Sequence, residues 1–149
     1  PRGKGEMKDW RNEMQVLPIG KGKKLRDGDD IAVLSIGPIG NEVIKAIEMV
    51  KEERVSIAHY DMIYLKPLDE ELLHEIGQKY NRIITVENGV IKGGFGSAVL
   101  EFMADNGYTP HVKRIGVPDA FIEHGSIPEL YQLCGMDAES IAKQLKKEN

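Results

Sequence analysis

Strand-like and helix-like segments that alternate through short links predict an α/β chain, a three-layer α/β/α domain around a mostly parallel sheet. Three observations carry that expectation. Ile31-Ala32-Val33-Leu34-Ser35-Ile36 is apolar almost throughout, as a strand covered on both faces must be. Val43, Ile44, Ile47 and Val50 follow it at the spacing of one helical face. The run Ile83-Ile84-Thr85-Val86 then feeds a turn holding Gly89, Gly93, Gly94 and Gly96 before another helical pattern.

The elements follow in order. Residues 1–15, PRGKGEMKDWRNEMQ, are polar with no sustained period and open without an initiator Met. They are expected to be the end of a preceding domain and a linker, with the domain proper at 16–149 and the chain a piece of something longer. Residues 16–26 predict a weak edge strand, because Pro18 lacks a backbone donor. Its Lys21, Lys23, Lys24 and Arg26 read as a solvated face. Asp27 to Asp30 is a turn. After the strand at 31–36, Gly37-Pro38-Ile39-Gly40 breaks the chain and Asn41 is expected to cap the first helix. A strand is predicted within Val55–Leu65. Pro67 starts the next helix and Asp69 caps it, with Leu72, Leu73, Ile76 and Tyr80 as the buried stripe. A strand at Arg82–Glu87 leads into the glycine turn. A helix from Ser97 to about Asp105 buries Val99, Phe102 and Met103 and stops at Asn106-Gly107. His111–Val117 is the last strand. Ser126-Ile127-Pro128-Glu129 reads as a capping box for a helix ending at Gly135. Asp137 caps a final one with Ile141 and Leu145 inward.

Composition narrows the function. The chain has 149 residues, a net charge of −4 and a pI near 5.6, so it presents no strong field for nucleic acid. No apolar run approaches the roughly 18 residues of a membrane span, and no signal peptide is visible. Cys134 is the single cysteine, which excludes an internal disulfide and fits a reducing, cytoplasmic setting. It is expected to pack among Leu130, Leu133 and Met136. His59, His74, His111 and His124 lack metal spacing. His124 stands beside Glu123, where it either orients as a base or holds its loop by hydrogen bonds. Glu87 and Asp61 fall at strand ends, where α/β sites form, yet carboxylates there also cap loops, and no nucleophile accompanies them. Ser97 and Ser126 read as caps.

Strand, glycine turn and helix is also how phosphates are held. A dinucleotide fingerprint needs G-x-G-x-x-G or A, and Gly94-Phe95-Gly96-Ser97-Ala98-Val99 places a β-branched residue third. A GxxxxGK[ST] loop is absent. The glycines therefore read first as structural, permitting a tight turn or a close backbone approach. An anion at the helix start beside Lys92, or a docked partner, remains open.

Several segments together carry a resemblance. They are Pro1-Arg2-Gly3, Leu17-Pro18-Ile19-Gly20-Lys21-Gly22, Lys66-Pro67-Leu68-Asp69-Glu70-Glu71-Leu72, Thr85-Val86-Glu87-Asn88-Gly89, Gly93-Gly94-Phe95-Gly96-Ser97, and the run from Gly116 to Gly125, GVPDAFIEHG. In that order, and with the tail Cys134-Gly135-Met136-Asp137-Ala138, the chain resembles the C-terminal domain of the 1-deoxy-D-xylulose-5-phosphate synthases, within the transketolase family. The Pro-Asp-x-Phe-Ile-x-His-Gly run separates that branch from transketolases and 2-oxoacid dehydrogenase β subunits.

The resemblance implies a five-stranded mixed sheet in order 1-3-2-4-5 with strand 1 antiparallel. It implies a parent enzyme whose two preceding domains bind thiamine diphosphate and Mg2+ across a homodimer, and which joins pyruvate to D-glyceraldehyde 3-phosphate with loss of carbon dioxide. The product would feed isoprenoid, thiamine and pyridoxal precursors. The C-terminal domain would be structural and dimer-supporting, with no catalytic, cofactor-binding or metal residue of its own. Arg2, in the Pro-Arg-Gly remnant of the preceding domain, would clamp the substrate phosphate in the full-length enzyme. Three alternatives stand beside this: the C-terminal domain of another thiamine-diphosphate-dependent transketolase-like enzyme, a subunit of a split enzyme of that kind, and a free-standing anion-binding module using the Gly37 and Gly94 loops.

Overall fold

The computed structural model describes residues 16–146. In it β1 (Lys23–Arg26), β2 (Ile31–Ile36), β3 (Ile57–Asp61), β4 (Arg82–Val90) and β5 (His111–Val117) form one sheet ordered β1-β3-β2-β4-β5. β1 runs antiparallel to β3 and the remaining pairs are parallel. The helices are α1 (Gly40–Met49), α2 (Glu70–Lys79), α3 (Phe95–Asp105), α4 (Ile127–Leu133) and α5 (Ala138–Leu145). The mixed sheet and its strand order are those expected.

Side-chain alternation along the strands divides the core. Ile31, Val33, Ile84 and Val86 face α1 and α5, whose Val43, Ile47, Ile141 and Leu145 cover them. Ala32, Leu34 and Ile83 face α2 and α3, under Leu73, Ile76, Val99 and Met103. Each fully buried branched or aromatic side chain stabilises by about 1.5–3 kcal/mol. The charged face of β1 is exposed throughout, as an edge strand should be.

Several boundaries differ from the expectation. The first strand is only four residues long. Bonds from the Gly40, Asn41 and Glu42 amides to Gly37, Pro38 and Ile39 carbonyls start the turn early, so Ile39, not Asn41, is the N-cap of α1. Ile44 is 48% exposed, because the buried stripe is Val43, Ala46, Ile47 and Val50. β3 ends at Asp61, where the Asp61 carboxylate accepts the Ile63 amide at 3.1 Å and Ile63 takes a positive φ of 56°. α2 begins at Glu70, after Pro67, with Asp69 as its cap. β4 continues to Val90, with its ladder to β5 irregular between Val86 and Val90. α3 starts at Phe95 rather than Ser97, with Gly94 as N-cap. Phe102 is only half-buried, meeting His74 edge-on at 4.9 Å.

This topology gives the sheet two unlike edges. The connections after β2, β3, β4 and β5 all leave at the carboxyl edge. β1 pairs Lys23 with Asp61, the last residue of β3, so residues 16–22 also lie there.

Candidate functional site

The carboxyl edge is where an open α/β sheet places a ligand, and the glycine turn after β4 is its most distinctive part. Glu87, the last β4 residue paired with β2, is 4% exposed. Its Oε2 accepts the Phe95 amide at 2.8 Å and its Oε1 the Gly96 amide at 2.8 Å. The positive end of α3 therefore already holds a carboxylate, supplied by the chain itself.

The glycines explain how that carboxylate fits. A Cβ on Gly94 would collide with Glu87 Oε2 and the Val90 carbonyl. One on Gly89 would come within 2.9 Å of Glu87 Oε2, and one on Gly116 within 3.0 Å of Glu87 Cγ. One on Gly96 would sit 2.5 Å from Thr85 Oγ1 and 2.9 Å from Arg114 Cγ. Close approach, not a left-handed backbone, is the reason for glycine at these positions. Gly93, with φ of 73° and open space around it, is the residue that turns the chain.

A second layer of bonds fixes the turn. Ser97 Oγ accepts the Gly93 amide at 3.0 Å and donates to the Ile91 carbonyl at 3.0 Å. Arg114 Nη1 donates to the same carbonyl at 2.7 Å and to Ser97 Oγ at 2.9 Å. Ser97 thus ties the loop rather than capping the helix. Lys92, considered for anion binding, pairs instead with Asp119 at 3.1 Å.

Other helix starts are closed in the same way. Asp69 accepts from the Leu72 and Gly22 amides at 3.2 and 2.9 Å and also pairs with Lys21. Burial pushes its carboxyl up, but these donors outweigh burial and hold it below the usual carboxylate range. Asp137 accepts from Ser140, and Glu42 accepts the Ala138 amide at 3.2 Å. Glu129 receives the Ser126 amide at 2.9 Å and its hydroxyl at 2.6 Å, completing the predicted capping box.

The remaining candidates do not converge. His59 is buried in the sheet, its Nε2 2.8 Å from Ser35 Oγ, and burial lowers its pKa to about 4 against a smaller opposing pull from Asp61. His74 meets the Tyr108 hydroxyl at 2.9 Å, and His111 is exposed on β5. His124 is exposed and has no hydrogen bond among the described residues, so of its two readings the loop tie fails, and Glu123 does not orient it as a base in this structure either. Among the described residues no group of His, Cys, Asp and Glu is placed to hold a metal ion. No described helix is long and apolar enough to cross a membrane. Arg2 lies outside the described residues, as does the expected linker at 1–15.

Sequence reasoning missed a groove of about 320 Å³ beside α4, lined by Asn88, Val117, Ile122, Leu130, Tyr131 and Cys134, among others. Asn88 Nδ2 reaches the Tyr131 hydroxyl at 3.5 Å, and burial raises the Tyr131 pKa. Cys134 is half-buried on this wall. It also missed Arg114, for which only the nearness of Ser97 in space, invisible in the sequence, gave a signal.

At this edge the starts of α2, α3, α4 and α5 are bonded to carboxylates of the chain itself, on a three-layer α/β domain whose mixed sheet has one antiparallel edge strand. A family profile described as transketolase, C-terminal domain, matches residues 20–141, and the chain belongs to that family. Similar proteins include the 1-deoxy-D-xylulose-5-phosphate synthases of Bacteroides fragilis, 58% identical over 148 residues, and Bacteroides thetaiotaomicron, 60% identical over 149. Each comparison covers 99% of this chain but 23% of the relative, so the chain spans about a quarter of their length, at their C-terminal end. Among solved structures, a split gene transketolase described as an inactive beta4 tetramer superimposes with a TM-score of 0.78 at 29% identity, over 88% of this chain and 45% of that one. Leishmania mexicana transketolase shares the fold at 14% identity, with a TM-score of 0.61 over 85% of this chain and 17% of that one.

Proposed function

We propose that the chain is the structural, dimer-supporting C-terminal domain of a 1-deoxy-D-xylulose-5-phosphate synthase. The parent would be a cytoplasmic homodimer that condenses pyruvate with D-glyceraldehyde 3-phosphate, releasing carbon dioxide, for isoprenoid, thiamine and pyridoxal precursors. The observation that carries this reading is identity near 60% along essentially the whole chain with synthases of that name.

The parent's thiamine diphosphate would supply the electron sink for the condensation, with Mg2+ holding its diphosphate. The described residues do not fit that group. The α3 amides that would receive a diphosphate are already bonded to Glu87. What this chain's residues do is build a rigid body: Glu87 fixes the α3 start against β4, and Arg114 and Ser97 fix the turn above it. Arg2 would contribute a guanidinium to the substrate phosphate from the preceding domain.

Calorimetry of the isolated chain with thiamine diphosphate and Mg2+ should show no binding. A micromolar dissociation constant, about −8 kcal/mol, would overturn the non-catalytic assignment. Assay of the full-length protein with pyruvate and D-glyceraldehyde 3-phosphate tests the parent. The likeness to a split gene transketolase favours, as a second reading, an enzyme whose domains sit on separate chains. An uninterrupted upstream reading frame with a thiamine-binding segment decides against it.

A further inference from the structure

The two edges of the sheet differ in what they show to solvent. At the amino edge the turns are polar: Asp27-Gly28-Asp29-Asp30 before β2, Lys51-Glu52-Glu53-Arg54 after α1, and Asn106-Gly107 after α3. Leu25, two residues before the first of these turns, and Met49, at the end of α1, are exposed apolar side chains beside them, at 44% and 55%. At the carboxyl edge, Val16, Leu17, Ile19, Leu65, Val90 and Phe121 are all exposed. Ile19 is 78% and Phe121 fully exposed, and Phe121 adjoins a shallow pocket with Val90 and Pro118. A concentration of large apolar side chains on one edge marks a contact surface.

We propose that this carboxyl edge, centred on Phe121 and Val90 and continuing into the groove beside α4, is where the polypeptide upstream of Val16 docks in the parent protein. The inference rests on the functional reading above for the existence of that upstream part. Two observations choose this occupant over a second copy. The relatives carry about three quarters of their length outside the matched C-terminal part. The upstream chain also arrives at this edge, because Gly22 is bonded to Asp69 at 2.9 Å and Lys23 pairs with the last residue of β3. The upstream part would then lie on the side of the sheet that carries these loops. Docking here would also give the glycine turn a purpose: Glu87 and Arg114 fix the backbone next to Val90 through Phe95, Gly96 and Ile91.

Hydrogen exchange compares the isolated chain with the full-length parent. Backbone amides of 90–93 and 117–123 should exchange at least roughly tenfold more slowly in the parent, while those of 27–30 and 51–54 stay unchanged. Phe121→Glu should abolish that slowing and speed tryptic cleavage within residues 1–15, whereas Met49→Glu should do neither. Phe121→Glu should leave the melting of the isolated chain unaltered, which separates lost docking from lost folding. Equal exchange of the carboxyl edge in both proteins overturns the proposal, and so does slowing at both edges. Slowing already present in the isolated chain, and growing with its concentration, assigns the surface to a second copy and overturns it too. Condensation activity of the parent is read separately: its absence sinks the functional reading, and its presence without edge protection sinks only the docking.

Discussion

Glu87→Gln is the sharpest test of the carboxylate at the start of α3. The side chain is buried and both of its oxygens accept amides at 2.8 Å. Glutamine has nearly the same shape, but only one of its terminal atoms accepts. Its NH2 group must face an N–H, leaving one buried amide unsatisfied at a cost of about 1–3 kcal/mol. The bond that survives loses its charge, and the α3 dipole loses a neutralising partner worth about 0.3–1 kcal/mol. The sum is about 2–4 kcal/mol. At roughly 2–4 °C per kcal/mol for a chain of this size, Tm should fall by about 5–15 °C. Urea unfolding of the isolated chain measures the free energy directly. A double-mutant cycle adds a stricter test. The nearest atom to a Cβ on Gly89 is Glu87 Oε2, at 2.9 Å, so Gly89→Ala should cost clearly less beside Glu87→Ala than alone. A Glu87→Gln variant within about 0.5 kcal/mol of the unchanged chain would refute the reasoning, as would strict additivity in the cycle.

Other expectations follow from neighbouring parts. His59 has its pKa lowered from 6.5 to about 4, so the unfolded chain binds more protons between those values. Its contribution is complete above about pH 6.5 and is lost as pH falls through 4, amounting to roughly 3 kcal/mol. His59→Asn should flatten the stability profile over that window in urea titrations, and an unchanged slope would exclude His59 as its source. Gly96→Ala places a Cβ against Thr85 and Arg114 and should cost about 1–3 kcal/mol by overpacking. In thermal-shift measurements NAD, ATP and sugar phosphates should stabilise neither form, and a shift confined to the unchanged chain would mean the turn binds a ligand after all. On the proposed function, Arg2→Ala in the full-length parent should raise KM for the phosphorylated aldehyde roughly ten- to hundredfold, the loss of a charge-assisted bond of about 1.5–3 kcal/mol. Equal effects on pyruvate would remove Arg2 from the phosphate.

The regular elements were legible because hydrophobic period reports burial directly. Ile31–Ile36 reads as a doubly covered strand and is one, buried or nearly so along its length. Boundaries were less legible wherever a distant or irregular backbone bond decided them. Asn41 had the right chemistry for a cap, but a tight turn from Gly37 began the helix two residues earlier. β3 stops at Asp61, short of the apolar residues up to Leu65, where the Ile63 amide donates to the Asp61 carboxylate, a local bond that period cannot show.

The glycine turn shows what a sequence can and cannot say about a site. Strand, glycines and helix correctly announce a helix start approached closely by an anion. The sequence does not say whose anion it is. Here Glu87 stands eight residues before Phe95, too far along the chain for a local capping box, and reaches the helix only because β4 runs on beside it. An external phosphate would have to displace a carboxylate that is buried, bonded twice and enclosed by Gly89, Gly94 and Gly116. A missing third glycine in the fingerprint argued against a nucleotide, but the stronger argument is this internal occupant. The same pattern recurs at Asp69, Asp137 and Glu129, so four of the five described helix starts hold a carboxylate of the chain itself; α1, entered through the Gly37 turn, has no side-chain cap. The exposed apolar side chains of the carboxyl edge, Ile19, Val90 and Phe121 among them, are a different chemistry, because apolar side chains recognise protein rather than phosphate.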